Sequence, residues 1–172
     1  MSVLKSLTIV SLGVLLASTP AWAATGDIVN EAIVDAPPDE VWKAWTAVEG
    51  MQSWMVGKGD IDMRVGGTWR TSYNREADLA GDTAIHHKIL AFDPGRMLAF
   101  QTVKPPRPFP FASAILKTWT VVYLERAGEG RTKVTVRMLG FGDDEESQKM
   151  HAFFQTGNKA TLDALVKRFS SR

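Results

Sequence analysis

The chain has 172 residues, with 20 lysines and arginines against 19 aspartates and glutamates, and no cysteine. Near-neutral charge without a dense basic cluster excludes electrostatic capture of nucleic acid or of an anionic membrane. The absence of cysteine excludes disulfides, thiol catalysis and a lipid-modified N-terminal thiol, so stability has to come from packing.

Met1 to Ala23 reads as a secretory signal peptide. Lys5 is the charged start, Leu7 to Ala17 the apolar stretch, and Ala21-Trp22-Ala23 a small-x-small cleavage site. The apolar run is about half the roughly 20 residues needed to span a bilayer, and Thr19 and Pro20 interrupt it. Cleavage near Ala23 is therefore expected, with no stable membrane anchor afterwards and a periplasmic or secreted location. Only Lys5 is lost with this segment, which leaves basic and acidic residues balanced at 19 each over residues 24–172. That length suits one domain with a substantial core.

The first strand is predicted at Ile28 to Val34, stopped by Asp35-Ala36-Pro37-Pro38, because proline removes backbone donors and restricts its predecessor. A helix follows. Pro38 suits an early helical position, Asp39 and Glu40 complement the dipole, and Val41, Ala44, Trp45 and Val48 recur at helical spacing. Gly50 is expected to break it, before a second helical turn over Met51 to Met55 with Trp54 facing inward. The period then becomes that of strands: Ile61, Met63 and Val65 alternate with charged residues, Gly66-Gly67 turns the chain, and Thr68 to Arg75 returns. Further strands are predicted at Thr83 to Phe92 and Met97 to Val103, joined by the turn chemistry of Asp93-Pro94-Gly95-Arg96. A last hairpin pairs Lys117 to Glu125 with Thr132 to Leu139. The chain ends in a long helix from about Asp144 to Phe169, with acids at its start, Lys167 and Arg168 at its end, and an apolar face running from Met150 through Phe153, Phe154, Gly157, Thr161, Ala164 and Leu165 to Phe169.

This order predicts an α+β fold: a curved antiparallel sheet of about six to seven strands around a long C-terminal helix, with two short helices after the first strand. Such a sheet wrapped around one helix leaves a cavity. Trp45, Trp54, Met63, Trp69 and Trp119 from the flanking elements, with Phe154 and Asn158 from the helix, are the candidate lining residues, and plain core packing is the alternative for each tryptophan. His86 and His87 are strand neighbours on opposite faces and cannot chelate one metal together. His87 shares its face with Ile85 and Ile89, so it is a wall histidine, a ligand contact or a general base. His151 reads as a surface residue, and the four acids Asp143 to Glu146 read as helix electrostatics. Asp62 and Arg64 read as outer-face charges that fix a hairpin. The segment Lys104 to Phe111, rich in proline, cannot join a central strand. It is either a stiff cover at the cavity mouth carrying Phe109 and Phe111, or a plain surface connection. No enzyme motif, metal set or cofactor motif is present, so neither a metal nor a cofactor is expected.

The stretch Val34 to Thr46, the run Asp62-Met63-Arg64-Val65-Gly66-Gly67-Thr68-Trp69 and the hairpin Leu90 to Leu98 resemble, in the same order, domains similar to the activator of the ninety-kilodalton heat-shock chaperone ATPase. The resemblance implies a helix-grip fold of the START-like superfamily, in which the long helix closes a sheet-lined hydrophobic cavity. Where that family commonly has tryptophan after glycine in its last helix, this chain has Asn158 after Gly157. The family's name points to a co-chaperone, but an exported domain does not meet a cytosolic chaperone. The leading expectation is thus an exported binding or carrier domain for a small hydrophobic or amphipathic ligand. The alternatives are a cofactor-independent enzyme with His87 as proton shuttle, of cyclase, hydrolase or isomerase type, and an envelope protein-interaction domain.

Overall fold

The computed structural model describes residues 26–170, and the expected signal segment, Met1 to Ala23, lies outside the described residues. Strand β1 (Ile28–Val34) leads through two prolines into helix α1 (Pro38–Thr46) and the short helix α2 (Val48–Gln52). Six more strands follow: β2 (Lys58–Ile61), β3 (Thr68–Ser72), β4 (Ile85–Asp93), β5 (Met97–Lys104), β6 (Trp119–Arg126) and β7 (Thr132–Leu139). A four-residue helix α3 (Ala112–Ile115) stands between β5 and β6, and α4 (Glu145–Ser170) ends the described chain. All neighbours in the seven-stranded sheet are antiparallel, in the order β1-β7-β6-β5-β4-β3-β2. This is the α+β helix-grip arrangement expected from the sequence.

Alternation decides which face of the sheet is covered. Val34, Val122, Leu124, Val134, Val136 and Met138 are buried beneath the helices, whereas Val29, Ile33 and Tyr123, one residue out of phase, are exposed. The 26-residue α4 runs along this covered face with Met150, Leu162, Leu165 and Phe169 buried. Its start is capped by Asp144, whose carboxylate accepts from the Ser147 amide and hydroxyl at 2.9 Å each. Those bonds, the amide first, hold the Asp144 carboxyl below its ordinary range. The acidic run thus serves the helix terminus, and no cluster of metal-ligating side chains exists among the described residues.

The interior is packed in two separate clusters. One surrounds Val41, Trp45, Met51, Trp69, Leu98, Val122, Leu165 and Phe169; the other joins Ile28, Ala114, Ile115, Met138 and Met150, with Phe109, Phe111, Phe141 and Phe154 against it. Between them the inward stripe of α4 passes through Gly157, Asn158 and Thr161, all only half-buried.

Three local expectations are corrected. The break after α1 falls at Ala47, whose extended backbone separates the two helices, while Gly50 lies inside α2. A Cβ on Gly50 would stand 2.1 Å from the Lys43 carbonyl oxygen, so this glycine serves close helix approach. The strand expected over Ile61 to Val65 ends at Ile61, after starting at Lys58. Beyond it the chain coils: the Arg64 amide donates to Asp62 O, the Gly67 amide to Arg64 O and the Gly66 amide to Ile89 O, which leaves Val65 64% exposed. The charges of Asp62 and Arg64 meet at 2.6 Å on the outside of this turn. Finally, α3 is an element that the sequence reading lacks.

Candidate ligand site

Antiparallel pairing places Trp69 of β3 opposite His87 of β4, and His87 opposite Thr102 of β5. With Phe100 they form a compact group on the covered face. The ring centroids of Trp69, His87 and Phe100 stand 4.9 to 5.2 Å apart, with Phe100 edge-on to both others. Trp69 is 1% exposed, and its indole N–H donates to the Met51 sulfur at 3.3 Å. His87 Nδ1 lies 3.1 Å from Thr102 Oγ1. The residue is half-buried, and burial of its ring among apolar neighbours pushes its pKa down to about 3, with a smaller contribution from the adjacent His86. At neutral pH it is an uncharged imidazole.

The other expected lining residues divide sharply. Trp45 and Trp54 meet edge to face at 5.0 Å beneath α1, with Trp54 Nε1 donating to Ala44 O at 3.0 Å. Trp45 belongs to the larger core cluster, and Met63 and Trp54 pack half-buried against it. Phe154 belongs to the second cluster. Asn158 lies between the clusters, four residues from both Phe154 and Leu162 on α4, so the three share one helical stripe. Trp119 does not line the interior. It stands 39% exposed on the outer face, because Thr120, Val122 and Leu124 take the inward phase of β6. Its ring packs over Gly140 instead.

Sequence reasoning missed Phe100 and Thr102, although the inward phase of β5 is legible from Leu98 onward. The phenylalanines of the proline-rich segment do gather at one end of α4, where Phe109, Phe111, Phe153 and Phe154 touch through mainly edge-on contacts. The loop is held by the Arg107 amide donating to Asp82 O at 2.8 Å and by Lys104 reaching Gly81 O at 2.9 Å. Two clefts elsewhere on the molecule are of small-molecule scale. One of about 200 Å³ lies where α1 and α2 meet Arg168 and Phe169, and one of about 610 Å³ lies between the start of α1 and the β4–β5 turn. Neither lies beneath the middle of α4.

Residues 35–170 match the family model described as Activator of Hsp90 ATPase homolog 1-like protein. The chain belongs to this family. No curated protein matches it in sequence. Among solved structures it is similar to a Mesorhizobium loti protein, with a TM-score of 0.66 and 20% identity over 85% of this chain and 98% of the other. The Aha1 dimer from Colwellia psychrerythraea gives a TM-score of 0.63 and 18% identity over 84% and 96% of the two chains. CalU16 from Micromonospora echinospora gives 0.59 and 24% over 84% and 76%. At these identities the likeness establishes the fold, and that fold is consistent with a ligand-binding domain.

Proposed function

We propose that this is an exported binding domain for a small hydrophobic or amphipathic molecule seated between α4 and the inner face of β3 to β5. The observation that carries the reading is the group Trp69, His87 and Phe100, an aromatic floor with one polar handle on the covered face of the sheet, together with the half-buried Gly157, Asn158 and Thr161 of α4. Apolar floors with a few placed polar groups are the usual form of small-molecule sites. Trp45, Trp54, Met63 and Phe154 then act as the packed walls at the two ends, and Asn158 as a polar contact from above. Export rests on the sequence of Met1 to Ala23, and with it a cytosolic chaperone is not the partner. A catalytic use of the same space has less support. A general base works best with a pKa near the operating pH, and His87 is held near 3.

Protein-observed NMR with 2-isopropenylnaphthalene as an apolar probe tests the site. Shifts confined to Trp69, His87, Phe100, Thr102 and the 154–161 stretch of α4 are expected. Shifts only at the two outer clefts, or none at saturating probe, would overturn it.

A further inference from the structure

Thr102 and His87 are directly opposed on neighbouring strands, and one hydrogen has to lie between Oγ1 and Nδ1. Among the described residues the Thr102 hydroxyl has no other partner. Nε2 of His87 has no protein partner among the described residues, and it is not one of the fully buried unpartnered polar atoms. The two ways of placing the shared hydrogen are not equivalent. Donation by the imidazole would leave the hydroxyl proton without an acceptor in half-buried surroundings, and an unmet buried donor costs more than the bond contributes. Donation by the hydroxyl satisfies Thr102 and puts the single imidazole proton on Nε2. The doubly protonated form is opposed by the apolar rings of Trp69 and Phe100 on either side.

We infer that Thr102 fixes His87 as the Nε2–H tautomer, so that the site offers a neutral hydrogen-bond donor to the carbonyl oxygen of an otherwise apolar ligand. The inference rests on the binding reading above and names the ligand class it takes: ketones, esters, amides or quinones, whose oxygen accepts without bringing a charge. A carboxylate is disfavoured, since Trp69, Phe100 and Thr102 around the imidazole provide no cation to offset its desolvation. Thr102 is a positioning residue, acting through His87.

The test pairs 2-acetylnaphthalene with the near-isosteric 2-isopropenylnaphthalene, which replaces C=O by C=CH₂. The wild-type protein is expected to bind the ketone about fivefold more tightly, the worth of one neutral hydrogen bond. Nitrogen-15 spectra of the free protein should show His87 Nδ1 as the unprotonated ring nitrogen. Thr102→Val should lower the ketone preference and mix the two tautomers; Thr102→Ser should restore both readouts. A proton found on Nδ1, or a ketone preference undiminished by Thr102→Val, overturns the inference while the site stands. Failure of both naphthalenes to bind removes the binding reading itself, and this inference with it.

Discussion

The two packed clusters hold α4 in different ways. Under its C-terminal half, Leu162, Leu165 and Phe169 sink into the larger core with Val41, Trp45, Trp69 and Leu98. Under its N-terminal half, Met150 is the one fully buried apolar side chain of the helix, ringed by half-buried phenylalanines, while Phe153 is 52% exposed. The helix is therefore clamped firmly at one end and more loosely at the other, with the half-buried stretch around Asn158 between the clamps.

The sharpest way to break the comparison is to empty each clamp in turn. Leu165→Ala should cost about 3 to 4 kcal/mol of unfolding free energy, in the usual range for a rigid core. Met150→Ala should cost about 2 kcal/mol, since flexible rings can partly close the void. Equal costs in urea titrations would contradict the asymmetry. A pH effect on the β3–β5 floor sharpens the comparison further. The pKa of His87 is near 3 in the folded chain and ordinarily about 6.5, so between those values the unfolded chain binds the extra proton. This contribution to stability is present above about pH 6.5 and falls away as pH drops toward 3, with a slope of about 1.4 kcal/mol per pH unit at most. His87→Gln should flatten that part of the stability profile; an unchanged slope would show that the imidazole is not desolvated. The smallest effect concerns the looser clamp. Glu146 Oε1 accepts from the amides of Ser113 and Ala114 at 3.0 and 3.2 Å, tying α3 to α4. Glu146→Ala should cost about 1 kcal/mol and speed hydrogen exchange in residues 112–116, with Leu165 and its neighbours unaffected.

Much of the frame was legible because punctuation and period agreed. The bounds of β1 and β7 follow from sufficient alternation in one and regular alternation in the other, ended by the proline-containing turn after β1 and by glycine after β7. The Asp93 to Arg96 turn and the acidic start of α4 were equally plain, each having its own local chemistry. What failed were places where tertiary contacts overrode pattern. Met63 and Val65 continue a strand-like alternation, but backbone bonds from Gly66 and to Gly67 pin this stretch to Ile89 as a turn. The sequence Ala112-Ser113-Ala114-Ile115 is too short to display a helical period, and the carboxylate that caps it lies 32 residues beyond Ala114. Trp119 stands on an element that flanks the expected cavity, but the phase of Thr120, Val122 and Leu124 assigns it outward. Thr102 carried no signal alone; its meaning comes from the register that sets it against His87.

That outward tryptophan has a consequence of its own. The ring carbon Cζ3 of Trp119 would lie 2.6 Å from a Cβ at Gly140, and Gly140 also holds a φ of +87° that other residues resist. Gly140 directly follows β7 and begins the five-residue bridge to α4. The first residue of the connection to the closing helix is thus fitted against an indole on the outer face of the sheet, so any side chain larger than hydrogen at Gly140 would disturb the approach to α4 from the side opposite its buried face.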